Sequence, residues 1–591
     1  MTKKQTQWAI TIFVGAVIVV GGVGLLIFHV FWPQVQRLPF FSNNSVISFH
    51  EHHQLDPDIP NLIHGRAWLQ PTDAPSPFIY DDEMYLPIVF FQEHFDQFLF
   101  WDEYAQVLFV TTRDDIVAFY PNQTRFYVNN RPRTKPHPIM VRDGDVFIPA
   151  SLAEALYPIT ASYHDAYNLI VVEDVNAPQT TAQLERRTPI RYRPSTGAPI
   201  TIQAQAGSTV TIFEESEGFT RVRSEEGLLG WVQTSAIDET STTTPLDYLE
   251  RDLLLGAFID NNAHYPPNRT GASVSLAWDV TYVQEANAVL MQTPIHESIN
   301  VLSPMWFRLD EETMSMTSLA CADYVAWAHE HGVEVWPFVF DVNYDNSRAI
   351  LTNREAREHV IAQILYYVDE LGLDGVNIGF EHIRPPEGPY LIQFLRELAP
   401  SLRERGVVLS KNVLVPRPYT AFYRRDLMSH TVDFVIVMAY DEHWSAAPTS
   451  GPVASISFVQ RGIEDLLEQV PANQIVLGLP FYNRIWREVI GDNTLETRRT
   501  HHFGTGHTRE WFETNYVEWE WLPDIGKYYG EFATLYEDEM VRYRVWLESG
   551  RSIEWKLQMY RSYNLAGVAV WNRNFRTNEE LWDMMGTFFG E

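Results

Sequence analysis

Near its start the chain runs through one unbroken apolar stretch, and its texture then changes three times. From Trp8 to Trp32 it reads WAITIFVGAVIVVGGVGLLIFHVFW, without a Lys, Arg, Asp or Glu. Coiled as an α-helix at ~1.5 Å per residue, that length more than spans a hydrocarbon core of ~30 Å. Trp8, Phe31 and Trp32 stand where interfacial aromatic belts form, and Lys3 and Lys4 precede the stretch while only Arg37 follows closely. The pattern predicts a cytoplasmic tail over 1–7, a transmembrane signal anchor over 8–32, and the rest of the chain outside the cell membrane. An uncleaved anchor is favoured over a signal peptide, because the run exceeds a usual h-region and no small-x-small site follows it.

After a short linker, residues 45–175 repeat themselves at an offset of 62: MYLPIVFF (84–91) aligns with VFIPASLA (146–153), and VLFV (107–110) with LIVV (169–172). Each half predicts a strand containing a Pro, a short helix (Phe91–Phe95 and Leu152–Leu156) and a hairpin. A doubled unit of this kind packs as one pseudo-symmetric α+β module. Residues 184–238 alternate short β-rich runs with turns, as in TPIRYRPS, ITIQAQAGSTVTIFEES and FTRVRSEEGLLGWVQTSAI. Residues 239–272, containing DETSTTTP and YPPNRTG, predict a linker.

From 273 to 591 apolar runs alternate with helical stretches. The runs are SVSLAWDV (273–280), INVLSPMWF (299–307), VEVWPFVF (333–340), GVNIGFE (375–381), GVVLSKNVLV (406–415), VDFVIVMAYD (432–441), QIVLGLPFY (474–482) and AGVAVWN (566–572). Eight strand–helix units predict a (β/α)₈ TIM barrel, with its chemistry at the C-terminal strand ends. The fold class is therefore multidomain, with this barrel preceded by a β-rich domain, a duplicated α+β module and a membrane helix.

Composition narrows the partners. The net charge is −32, from 76 acidic and 44 basic residues, so the surface repels nucleic acid and anionic polymers. An uncharged glycan suits it better, since sugars bind through aromatic faces and hydrogen bonds, and the chain has 18 Trp and 28 Tyr. Cys321 is the only cysteine and cannot form a disulfide within the chain. Its flanks read as an amphipathic helix, predicting a buried, inert thiol. No Cys/His set has zinc-site spacing, and the adjacent His501 and His502 diverge, so neither a metal nor another cofactor is expected.

Four strand ends carry recognisable motifs. The fourth run is Asp374-Gly375-Val376-Asn377-Ile378-Gly379-Phe380-Glu381. It resembles the DxxDxDxE motif of glycoside hydrolase family 18, in the DGxNxDxE variant typical of relatives acting on bacterial wall glycans. The sixth ends in Met438-Ala439-Tyr440-Asp441, similar to the family's MxYD, and is followed by Glu442-His443-Trp444. The seventh, Leu477-Gly478-Leu479-Pro480-Phe481-Tyr482, has the family's look, and the eighth ends in Trp571, matching the tryptophan that floors the sugar pocket. Upstream, Gly207, Phe219, Val222, Gly227 and Gly230-Trp231-Val232 resemble a bacterial SH3 domain, and the duplicated module resembles the copper amine oxidase N-terminal-like domain of bacterial surface proteins. That name implies no copper here.

Strand periodicity puts Val376, Ile378 and Phe380 on one face and Asn377, Gly379 and Glu381 on the other, with Glu381 last, at the barrel mouth. The resemblance implies that Glu381 is the general acid and that the substrate's own N-acetyl oxygen is the nucleophile. It also implies that Tyr440 orients the acetamide, that Asp441 contacts the sugar or acetamide, and that Trp571 stacks on the ring. Asn377, Trp444, Trp278 and Trp306 complete the expected substrate-binding set. One position departs from the motif. Gly379 stands where the family has an aspartate that orients the N-acetyl group and stabilises the oxazolinium intermediate. Losing one preorganised group costs on the order of 10²–10³ in rate. Two readings stay open: a membrane-anchored hydrolase of N-acetylglucosamine-containing glycan, peptidoglycan above all, acting with retention, and a catalytically impaired barrel that binds the glycan as a cell-wall scaffold.

Overall fold

The apolar runs of the C-terminal half become the strands of a closed barrel in the computed structural model, which describes residues 42–69, 75–243, 253–261, 267–269, 273–491, 498–575 and 577–589. The stretch 8–32, and with it the predicted anchor, lies outside the described residues. Among the described residues no helix is long and apolar enough to cross a membrane. Two compact units are present: residues 98–118, 127–132 and 260–591 belong to one, and the described residues of 1–97, 119–126 and 133–259 to the other.

The barrel strands are β1 (Val274–Asp279), β2 (Val301–Pro304), β3 (in two pieces, Glu334–Val335 and Phe338–Phe340), β4 (Gly375–Gly379), β5 (Val408–Leu414), β6 (Phe434–Met438), β7 (Ile475–Pro480) and β8 (Gly567–Trp571). All pairings around the ring are parallel, and β8 returns to β1 with Val274 opposite Gly567. Each of the eight predicted runs holds one strand. The break in β3 falls at Trp336-Pro337, where proline has no N–H for the ladder. The helix Arg354–Leu371 shows how the outer layer forms. Asn353 caps it by accepting from the Ala356 amide, and Gly372 ends it at φ 64°. Its buried residues include Ala356, Val360, Ile364 and Val368, a stripe at helical spacing that faces the sheet.

Alternation along the strands separates two cores. Val376, Ile378 and Phe380 pack outward among the helices. Inside the barrel lies a second cluster that includes Leu276, Trp278, Trp336, Phe338, Phe434 and Ile436. The inward positions of β4 are Gly375, Asn377 and Gly379, and aromatic rings of β3 fill the space beside its two glycines. A Cβ on Gly375 would stand 2.6 Å from the Trp336 ring, and one on Gly379 would stand 2.0 Å from Cζ of Phe338.

Between β7 and β8 the chain inserts a five-stranded antiparallel sheet built from Asn483–Val489, Arg499–Phe503, Glu520–Leu522, Lys527–Tyr536 and Glu539–Leu547, with the helix Thr505–Thr514. The sequence reading did not anticipate this insert. Its longest hairpin turns at Glu537 (φ 50°) and Asp538 (φ 66°), a two-residue turn without the glycine or asparagine that usually advertises one. Cys321 also differs from expectation: it occupies the N-cap of helix Ala322–Glu330 and is only partly buried.

In the other unit, the strand Glu83–Pro87 leads into helix Ile88–His94, and Asp145–Pro149 into Ala150–Leu156. Both helices begin directly after a proline, earlier than predicted, because Pro87 and Pro149 serve as N-caps. The two strands pair antiparallel with Leu86 opposite Ile148, its counterpart 62 residues on, so a pseudo-twofold passes between them. The seven-stranded sheet that follows runs from Gln179–Leu184 to Ile237–Thr243, and these two strands pair with each other. It therefore extends a few residues beyond the expected limits of 184 and 238. Gly230 is required there: a Cβ would stand 2.4 Å from Ile190 Cγ2 and 2.8 Å from the Arg191 carbonyl oxygen.

Candidate active site

Glu381 leaves the C-terminal end of β4 on a turn held from the neighbouring strand. Asp341, one residue beyond β3, accepts the Glu381 amide at 3.1 Å and the His382 amide at 2.9 Å. Its carboxylate also meets His382 Nδ1 at 2.9 Å and accepts the Ser347 hydroxyl. From the other side Tyr423 donates its hydroxyl to the Glu381 carbonyl oxygen at 2.9 Å. Lys411 of β5 is fully buried and donates Nζ to the carbonyl oxygens of Phe380 (3.2 Å) and Asn412 (2.6 Å).

These neighbours set the proton on Glu381. Burial is the largest effect and pushes its carboxyl up to about 7, against an opposing pull from Lys411; Asp341 adds to the rise, His382 opposes it, and Asp441 adds to it. Burial pulls the Lys411 ammonium down to about 8, with Glu381 and Asp341 resisting. The Asp341 hydrogen bond raises His382. Tyr440, at the end of β6, is raised well above the usual phenol range by burial, then by Glu381 and Asp441, so its hydroxyl keeps its proton. A carboxyl poised near neutrality beside a protonated phenol is equipped for general acid chemistry.

Asp441 follows Tyr440 with φ 57°. Its Oδ1 accepts the Tyr482 hydroxyl at 2.6 Å and Nη2 of Arg484 at 2.5 Å, and Arg484 Nη1 meets Nε2 of His502 at 2.5 Å. Trp571 ends β8, partly open, with its ring centroid 5.6 Å from that of Trp278. Trp444 lies on the loop after β6 and is 55% exposed.

The structure thus assembles Glu381, Tyr440, Asp441 and Trp571 around the barrel mouth. Three other predicted residues lie elsewhere. Asn377 is fully buried below the mouth: it accepts from Trp278 Nε1 at 3.0 Å and donates to Ser410 Oγ and Asn412 Oδ1, each at 2.9 Å. Both its amide hydrogens are committed within the barrel, so it serves the interior network and not a ligand. Trp278 is fully buried in the same network, beneath Trp571. Trp306 is 1% exposed, on the outer side of the sheet, and its indole N–H donates to Asn287 at 2.9 Å. Neither tryptophan presents a face to a sugar.

Sequence reasoning missed Asp341, Lys411, Tyr423 and Arg484. Lys411 was visible as the lone charge within an apolar strand, GVVLSKNVLV, and Asp341 as the acid just past the third run. Nothing in the sequence pairs either of them with Glu381.

The description "Glycosyl hydrolases family 18" matches residues 342–575, "Copper amine oxidase N-terminal domain" matches 69–172, and "Bacterial SH3 domain" matches 187–238. The chain is 25% identical over 233 residues to the cortical fragment-lytic enzyme of Bacillus subtilis, covering 38% of this chain and 52% of that one. It is 21% identical over 297 residues to the uncharacterized glycosylase YvbX of Bacillus subtilis, covering 47% of this chain and 82% of that one. The crystal structure of the spore cortex-lytic enzyme SleL of Bacillus cereus superposes with a TM-score of 0.48 at 18% identity, over 54% of this chain and 75% of that one. The chain spans about half the length, 52%, of several curated relatives it matches. With the motifs in order on the strand ends, the chain carries a family 18 glycosyl hydrolase domain, preceded by a copper amine oxidase N-terminal domain and a bacterial SH3 domain.

Proposed function

We propose that the protein is a glycosidase acting on N-acetylglucosamine-containing glycan, peptidoglycan in particular, outside the cell and held to the membrane by residues 8–32. The observation that carries the reading is the Glu381 carboxyl, poised at about 7 at the end of β4 with Tyr440 and Asp441 beside it. Glu381 protonates the glycosidic oxygen while the acetamide oxygen of the same sugar attacks the anomeric carbon. Water then opens the oxazolinium ring, with net retention. The Tyr440 hydroxyl donates to the acetamide, Asp441 is held in place by Tyr482 and Arg484, and Trp571 offers its face to the ring. Relatives named as a glycosylase and a cortical fragment-lytic enzyme support a wall-type glycan as substrate.

A second reading, a glycan-holding scaffold, draws on Gly379. The space of the family's aspartate is taken by the Phe338 ring, so no carboxylate stands there to support the intermediate. Incubating the protein with N-acetylglucosamine oligomers and purified peptidoglycan, with products read by mass spectrometry, separates the two. Shortened glycans that vanish in Glu381→Gln support the hydrolase, whereas saturable binding without products supports the scaffold.

A further inference from the structure

Gly379 leaves the fourth strand without its usual second carboxylate, yet a carboxylate is present one strand away. β3 pairs with β4 so that Phe340 lies opposite Gly379, which brings the next residue of the third strand, Asp341, alongside the Phe380-Glu381 turn. The Asp341 side chain is 1% exposed. It takes two consecutive amides of that turn and one imidazole nitrogen, and Ser347 fixes it from the following helix. Burying a carboxylate is costly, and this one is satisfied by four donors, three of them on Glu381 and His382.

We propose that Asp341 is the positioning residue for Glu381: it pins the turn that carries the acid and supplies, from the neighbouring strand, the like charge that Gly379 withholds. The inference rests on the reading of Glu381 as the general acid. The motif's aspartate would act from within the barrel, two residues before the glutamate. Asp341 acts through the backbone at the rim, where the Phe338 ring does not intervene. The charged and titratable groups facing Glu381 are Asp341 from β3, His382 next in the chain, Lys411 from β5, Tyr423 from the segment after β5, and Tyr440 with Asp441 after β6. Asp341 and Lys411 therefore act on the same carboxyl with opposite signs.

The full chain carrying [δ-¹³C]glutamate, titrated by NMR with Glu381→Gln to assign the resonance, reads this without any need for turnover. The Glu381 midpoint should lie near 7 in the wild type. Asp341→Asn, which keeps an acceptor and removes the charge, should lower it by about one pH unit, and Lys411→Met should raise it by a similar amount. Ser347→Ala, which loosens Asp341 without removing charge, should leave it nearly unmoved. If Asp341→Asn does not fold, [γ-¹³C]aspartate in the wild type serves instead. A resonance other than that of Asp441, assigned with Asp441→Asn, should then inflect at the Glu381 midpoint and lose that inflection in Glu381→Gln. An unmoved midpoint in Asp341→Asn, or no such inflection, overturns the proposal and leaves Asp341 a loop clamp. The expected shifts without glycan cleavage would uphold Asp341 and defeat the hydrolase reading; cleavage without the shifts would do the reverse.

Discussion

Replacing Gly379 with aspartate asks whether the missing carboxylate can simply be put back. A Cβ at 379 would lie 2.0 Å from Cζ and 2.1 Å from Cε2 of Phe338. Carbon–carbon contacts relax at about 3.5–4.0 Å, so the ring must withdraw by roughly 1.5–2 Å. It has little room to do so: Phe338 is 4% exposed and stacked on Phe340, with centroids 5.6 Å apart and an interplanar angle of 10°. Overpacking of this kind costs about 1–3 kcal/mol. At roughly 2–4 °C per kcal/mol for a large domain, Gly379→Asp should lower Tm by several degrees. Turnover should gain little, because the carboxylate cannot reach its place while the ring occupies it.

Phe338→Ala alone opens a cavity and should cost about 3–5 kcal/mol. The double variant Phe338→Ala, Gly379→Asp puts the carboxylate into the vacated space. Turnover should then exceed that of Phe338→Ala by about 10²-fold, the equivalent of one preorganised group, or about 2.7 kcal/mol. The assay is initial rate on N-acetylglucosamine oligomers, with a thermal melt on each of the four proteins. The effects of the two substitutions should be non-additive, since the side chains compete for one volume. A Gly379→Asp single variant that melts like the wild type would refute the steric account. A double variant equal to the sum of its singles would refute the claim that the ring stands in for the carboxylate.

Glu381→Gln should abolish hydrolysis while keeping oligomer affinity within a few-fold by calorimetry, since it removes the proton and preserves shape; retained turnover would assign the acid role elsewhere. With Glu381 raised to about 7 from an unfolded value of 4.5, kcat/KM should fall above pH ~7 as the acid ionises. The folded state then holds a proton that the unfolded chain has released between those values, so Glu381's contribution to stability is full below ~4.5 and lost as pH rises through ~7; Glu381→Gln should flatten that part of a Tm–pH curve. Arg484→Met should release Asp441 and cost on the order of 10²-fold in kcat/KM, and an unaltered value would mean that Tyr482 holds Asp441 unaided. Protease added outside intact cells should remove the barrel from the membrane fraction; a protected barrel would overturn the proposed topology.

The sequence exposed what a strand repeats and hid what crosses between strands. Barrel strands announce themselves as short apolar runs that alternate with helical stretches, and all eight were legible for that reason. The duplicated module was legible because Pro87 and Pro149 recur at one offset. Glu381, Tyr440, Asp441 and Trp571 could be placed together at the barrel mouth from the sequence because a motif ties each of them to a strand end. Trp278 on β1 and Trp306 just past β2 carried no such tie; they looked like ligand aromatics and proved to be buried ones, because an apolar run does not say which of its side chains meet solvent. The insert between β7 and β8 was missed because its main turn uses Glu537 and Asp538.

Gly379 shows the same limit from the other direction. Read along its own strand, it is a loss: a carboxylate is gone and glycine offers nothing in return. Across the sheet it belongs to a larger pattern, since Gly375 and Gly379 both face aromatic rings of β3, and Trp336 and Phe338 fill the volumes that side chains on β4 would need. A point change to aspartate would collide with that packing, so the departure from the motif is a property of two strands and not of one residue. The same adjacent strand carries Asp341 to the turn that holds Glu381. The proton on Glu381 answers first to burial and then to Lys411 of β5 and Asp341 beyond β3, and the motif's place for a second carboxylate is the one that the packing excludes.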